Sequence, residues 1–183
     1  MLVNLRALFG LLVDIVLLRR GPESLPASPS VLAIFVVLNG ALSALIASLI
    51  PSHPDISIVE LIVSPFVPML WYLIAFSLAK KPERFVQTMV AFFGVNLLFQ
   101  PVVAPMLAAL TPYMEKQDPA MPPPAALSLL FIVLSVWLLI VWVRIVRIAF
   151  EWPTIVAFVF VLAQNLVAIF IYSAMFGVSS GKV

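Results

Sequence analysis

The chain lacks the residues on which several kinds of chemistry depend. It has no cysteine and a single histidine among 183 residues, which excludes a disulfide framework, a cysteine nucleophile and a zinc site built from cysteines or a histidine cluster. Charged residues are also scarce, at 10%, whereas soluble domains carry roughly 25%. Since 64% of the residues are hydrophobic, the composition excludes an ordinary soluble domain.

Catalytic motifs are missing as well. The sequence contains no HExxH metal motif and no glycine-rich phosphate loop. We therefore expect no enzyme activity, no cofactor and no metal. The basic residues give a net charge of only +2 and are scattered at the ends of apolar stretches, so the sequence does not indicate nucleic acid as a partner.

Five apolar stretches are each about as long as the ~20 residues that a membrane-spanning helix needs. They cover residues 31–50, 57–79, 86–110, 125–143 and 154–176. The sequence therefore predicts an all-α fold, a polytopic membrane bundle of five transmembrane helices. We divide the chain into residues 1–30 and a transmembrane domain at residues 31–183.

The first thirty residues show a different pattern. Asp14 interrupts an apolar run that Arg19 and Arg20 close, which does not fit a signal peptide. At helical spacing, one face collects the apolar side chains Leu5, Leu8, Leu12, Ile15 and Val16. This predicts an N-terminal amphipathic helix at the cytoplasmic interface, then a proline-rich linker ending at Ser30, which we expect to cap the first span. A short transmembrane hairpin is the alternative.

Basic residues predict the orientation, because short cytoplasmic loops retain Lys and Arg. Eight of the ten fall on one side of the predicted bundle, and only Lys116 and Lys182 fall on the other. We therefore expect a cell inner membrane protein with a cytoplasmic N-terminus and a periplasmic or extracellular C-terminus. A basic rim is expected to bind lipid phosphates, with an acidic cytoplasmic partner as the alternative. Its residues are Lys80, Lys81, Arg84, Arg144 and Arg147.

Polar side chains inside the spans must find a partner or face water. Amides lie near the middle of three spans, at Asn39, Asn96, Gln100, Gln164 and Asn165. One interpretation is that these amides bond to one another and hold the bundle together. The other is that they line a binding cavity.

Small residues recur at every fourth position of the first span, at Gly40, Ala44 and Ser48. Such a stripe lets another helix approach closely. The pattern leaves open whether that helix belongs to the same chain or to a second copy.

Two segments resemble a known family. They are the basic turn AKKPERFVQTMVAFFGVNLLFQP at residues 79–101 and the junction VWLLIVWVRIVRIAFEWPTIVAFVF at residues 136–160. Together with the five spans, they look like the bacterial branch of the Yip (Rab-interacting protein) family of membrane proteins. That resemblance implies the helical bundle and a non-enzymatic accessory role.

The sequence favours one function and leaves a second as the alternative. The first is a scaffold or accessory subunit that helps to assemble or stabilise a larger membrane complex, with membrane lipids and a membrane protein or a second copy as partners. The second is a small transporter or channel that uses the midplane amides. A cavity touching those amides favours the second function, and a cluster of amides bonded to one another favours the first.

Overall fold

The computed structural model describes residues 5–49, 58–116 and 122–176, and all regular structure within these segments is helical. Seven α-helices follow one another along the chain. They are α1 (Leu5–Val16), α2 (Pro29–Leu49), α3 (Ile58–Val63), α4 (Phe66–Leu78), α5 (Phe85–Lys116), α6 (Ala125–Phe150) and α7 (Thr154–Phe176).

Five helical units are long and apolar enough to cross a membrane. They are α2, α3 joined to α4, α5, α6 and α7, so the chain is a multi-pass membrane protein and the predicted all-α bundle is confirmed. α5 lies against both α2 and α6, and α6 also packs against α7. The central position of α5 explains why a larger share of its side chains is buried than in any other spanning unit.

The second span is interrupted where its prolines predict a bend. Pro65 and Pro68 lack backbone N–H groups, so the carbonyls of Leu61 and Ser64 lose their usual helical donors. The Ser64 hydroxyl donates to Leu61 O at 3.3 Å, and the Tyr172 hydroxyl of α7 donates to Ser64 O at 3.0 Å. Both freed carbonyls are therefore satisfied inside the protein, as a low-dielectric environment requires.

Two predicted span boundaries and one cap were wrong. α5 continues to Lys116 rather than ending at Leu110, and α6 continues to Phe150 rather than Val143, because a helix is not obliged to end where its apolar stretch ends. α2 is capped by Ser28 instead of Ser30. The Val31 N–H donates to the Ser28 hydroxyl at 3.4 Å, since the helix already begins at Pro29.

Buried side chains concentrate at one end of the bundle. We call it the basic end, and define it by the turn between α4 and α5 and the turn between α6 and α7. An aromatic plug fills it, in which Phe150 stacks on Phe76 at 4.0 Å and on Trp152 at 4.2 Å between ring centroids. The remaining rings of the plug are Tyr72, Phe92 and Phe160. Towards the other end, the described side chains are mostly half-buried or exposed.

Helix α1 is amphipathic as predicted and packs against α5 and α6. Leu8, Leu12 and Ile15 are buried on its inner face, and the Trp137 indole N–H of α6 donates to Val16 O at 3.1 Å. Leu12 lies beside Gly94, about 14 Å along α5 from Phe85 at 1.5 Å per residue. α1 therefore contacts the flank of the bundle below its basic end, and its interfacial location stays a prediction.

Within the described chain, side chains of neighbouring helices approach closely at Gly94 and not at Gly40. A Cβ atom at Gly94 would lie 2.5 Å from Leu12 and 2.9 Å from Phe35, whereas a Cβ at Gly40 would meet nothing within 4 Å. Ala44 is half-buried and Ser48 is exposed. The small-residue stripe is thus not tightly covered by another part of the described chain.

These two glycines give a matched pair of variants. We expect Gly94→Ala to destabilise the protein by about 1 to 3 kcal/mol, the usual cost of overpacking a core. Gly40→Ala should be neutral or stabilising by up to about 1 kcal/mol, because alanine is the better helix former. Melting temperatures of the detergent-solubilised proteins measure both effects, and equal changes in the two variants would contradict the packing described at Gly94.

Candidate binding cavity

The five midplane amides predicted from the sequence all line one cavity of about 430 Å³. Side chains from α2, α4, α5, α6 and α7 contribute to its wall, so every spanning unit takes part. The volume falls within the range of small-molecule sites, roughly 300 to 1,000 Å³. Sequence analysis therefore identified residues that the fold brings together, although they come from three separate helices.

Two of the amides attach α2 to α5. The Asn39 side-chain amide donates to Phe35 O at 2.8 Å within its own helix and to Phe93 O at 2.9 Å on α5. The Gln100 amide on α5 donates to the Ser43 hydroxyl on α2. These bonds fix the relative position of the two helices along one side of the cavity.

The amides on α7 are less completely bonded. Asn165 donates to Val161 O at 2.8 Å, whereas the Gln164 Oε1 atom is buried and has no hydrogen-bond partner within the described segments. The Trp142 indole N–H, which lies in the same wall, is also buried without a partner there. An unsatisfied buried polar group costs about 1 to 3 kcal/mol, and since both atoms are covered in the structure, a bound molecule reaches them only after the side chains rotate towards the cavity.

The amides do not bond to one another. Within residues 5–49, 58–116 and 122–176, no hydrogen bond joins two of the five amides. This differs from the amide cluster that one interpretation of the sequence predicted. The physical reason is that the amide side chains lie around the cavity and not against one another. Each hydrogen bond that an amide donates goes to a backbone carbonyl or a hydroxyl.

The cavity wall is uncharged and mostly apolar. Its described lining contains aromatic rings, aliphatic side chains, amides and hydroxyls, and no Asp, Glu, Lys or Arg. At its inner end, Phe92 stacks on Trp142 at 5.5 Å and contacts Tyr72 of the aromatic plug at 5.8 Å. Phe92 thus joins the cavity wall to the plug on the side of the basic end, and the described side chains towards the other end are mostly half-buried or exposed.

Sequence reasoning missed three polar residues of this site. Ser43, Trp142 and Tyr172 all line the cavity. A signal for Ser43 was present, because it lies four residues after Asn39 and therefore on the same face of α2. Nothing in the sequence indicated Tyr172, whose position depends on the break in the second span.

The basic rim divides into two groups in the structure. Lys81 and Arg84 both bind Glu151, with Nζ–Oε2 at 2.6 Å and Nη2–Oε1 at 2.7 Å, and they also donate to Phe150 O and Ala149 O at 3.1 Å. These bonds connect the α4–α5 turn to the α6–α7 turn. Lys80, Arg144 and Arg147 take part in no ion pair among the described residues.

Glu151 makes this connection dependent on pH. Hydrogen bonds from Lys81 and Arg84 hold the pKa of its carboxyl below the usual value of 4.5. A carboxyl with a lowered pKa stabilises the folded state fully above its unfolded-state pKa, and that contribution is lost as the pH falls through the lowered value.

We therefore expect Glu151→Gln to melt at a lower temperature than the wild type at pH 7, by a small amount because the carboxylate is exposed. The difference should start to shrink as the pH falls below about 4.5 and disappear as it falls through the lowered pKa of Glu151. Melting curves of both proteins across pH 3 to 7 measure it, and a difference that persists unchanged at pH 3 would show that the ion pairs are not its cause.

Comparison of the chain with family models gave no match, and neither did comparison with curated proteins or with solved structures. The resemblance to the Yip family therefore stays a prediction.

Proposed function

We propose that the protein is a small transporter or channel, and that it binds a small uncharged molecule with both polar and apolar parts in the amide-lined cavity. The single observation that carries this proposal is the cavity itself, around which all five midplane amides lie without bonding to one another. The amides and hydroxyls of its wall supply hydrogen-bonding groups. The absence of charge in the described lining disfavours an ionic ligand, since a desolvated ion needs a charged or strongly polar partner.

The proposal includes an orientation. Positive charges at the basic end support a cytoplasmic location for that end, so the cavity is accessible from the opposite side of a cell inner membrane. The aromatic plug then separates the cavity from the cytoplasm, and passage of a solute requires the plug rings to move.

Purified protein in liposomes tests this function. We expect at least one uncharged solute from a panel of urea, glycerol and erythritol to equilibrate faster across these membranes than across protein-free liposomes, as measured by stopped-flow light scattering. If every solute in the panel equilibrates at the same rate with and without the protein, the protein is not a transporter or channel for small polar solutes.

A second candidate is the scaffold or accessory subunit. The observation that favours it is the outer part of the small-residue stripe. Gly40 lines the central cavity, but Ala44 is half-buried and Ser48 is exposed, and such small residues suit contact with another membrane helix. Crosslinking and native mass measurement of gently solubilised membranes test it. A protein that is always a solitary monomer would reject the scaffold role.

A further inference from the structure

A second cavity lies on the outer flank of α6 and α7. Its volume is about 600 Å³, and its wall is formed mostly by aliphatic and aromatic side chains. The apolar residues of α6 and α7 that line it are Val136, Leu139, Ile140, Val143, Ile155 and Phe158. We call it the flank groove. From Val136 to Arg147 it follows about 16 Å of α6 at 1.5 Å per residue, along the direction in which lipid chains run.

Two arginines lie at one end of this groove. Arg144 and Arg147 are three residues apart on α6 and therefore on neighbouring turns. Arg144 Nε is buried and has no hydrogen-bond partner in the segments that the structure describes. A guanidinium group with unused donors is suited to bind phosphate oxygens in pairs.

The charge balance around the groove favours an anion there. Four other basic side chains form ion pairs, Arg19 and Arg20 with Asp14 and Lys81 and Arg84 with Glu151. Arg147 also borders a polar pocket that contains Glu23 and Glu151, but it forms an ion pair with neither within the described residues. α7 begins at Thr154 in the groove wall, and a helix N-terminus adds further attraction for an anion.

From these observations we propose that the flank groove binds an anionic phospholipid, with its phosphate at Arg144 and Arg147 and an acyl chain along the apolar wall. A soluble phosphate would use only the arginines and leave the apolar part empty. The groove lies on a flank where Ile155 is 67% and Ile140 is 43% exposed, so a lipid reaches it directly from the bilayer. The inference does not depend on transport through the central cavity.

Native mass spectrometry of the whole protein tests the proposal with two defined lipids. Delipidated wild-type protein is mixed with equal amounts of phosphatidylglycerol and phosphatidylcholine, and the ratio of the two bound forms is measured. We expect wild type to prefer phosphatidylglycerol and the Arg144→Gln/Arg147→Gln variant to lose about tenfold of that preference. The matched control, Arg19→Gln/Arg20→Gln, removes two positive charges outside the groove and should keep the preference.

Several results would overturn the proposal. They are the lack of any preference in wild type, an equal loss in the Arg19/Arg20 control, or full displacement of the lipid by millimolar glycerol 3-phosphate, which carries the phosphate chemistry without an acyl chain. If the double variant is not monodisperse, the lipid preference of the single Arg144→Gln variant is measured in its place. A loss of about threefold or more then supports the proposal, and an unchanged preference rejects it.

Discussion

Replacing Gly40 with phenylalanine is expected to abolish protein-dependent solute movement. Gly40 lines the central cavity, and a Cβ placed there meets nothing within 4 Å, so the new side chain begins in open space. The cavity holds only about 430 Å³, and a benzyl group beside Asn39 would occupy part of it and cover the amide. We expect the rate in liposomes to fall to that of protein-free membranes.

Gly10→Phe is the matched control for that variant. Gly10 lies on the exposed side of α1, and a Cβ there also meets nothing within 4 Å, so the same ring is added away from the cavity. The control should keep the wild-type rate. If Gly40→Phe keeps it as well while remaining folded, the central cavity is not the path.

Replacing Phe150 with alanine should produce the largest loss of stability. Phe150 is 2% exposed and lies between Phe76 and Trp152 at the centre of the aromatic plug. Removing a buried phenylalanine typically costs about 3 to 5 kcal/mol, because packing contacts are lost and a void remains. We expect a melting temperature well below that of the wild type, and faster leakage of solutes through liposomes that contain the variant.

Phe170→Ala removes the same ring from a place where it packs against little. Phe170 is 74% exposed on α7, and exposed substitutions usually change stability by no more than about 0.5 kcal/mol. If both phenylalanine variants melt alike, the plug does not hold the basic end together.

Much of the fold could be predicted because the spanning helices are specified by local composition. Hydrophobic length alone placed all five spans, and helical spacing placed Leu8, Leu12 and Ile15 on the buried face of α1. The helix ends were harder, since α5 and α6 extend past their apolar stretches. Ser28 caps α2 because of a proline at the next position, a local signal that the choice of Ser30 overlooked.

The site was predictable only in part. The cost of polar groups in lipid marks the five amides as residues that need partners, and they do meet around one cavity. Whether they bond to one another depends on distances between helices, which the sequence does not state. The same limit applies to close packing, because it requires a neighbour. Within the described chain that neighbour is found at Gly94 of α5, where side chains of α1 and α2 approach, and a second copy at Gly40 stays a prediction.

Cysteine accessibility tests the central claim most directly, and the chain offers a clean background because it contains no cysteine. Ala104→Cys and Ala168→Cys place a thiol in the cavity wall. Val37→Cys places one on the outside of α2, where the side chain is 68% exposed and faces lipid. A thiol reacts as the thiolate, which forms in water and not in hydrocarbon.

Intact cells expressing each variant are treated with a charged methanethiosulfonate reagent that does not cross membranes. A water-accessible cavity facing away from the basic end predicts that Ala104→Cys and Ala168→Cys react from outside, while Val37→Cys does not. A lack of reaction at both cavity positions, or an equal reaction at Val37→Cys, would contradict a water-accessible central cavity.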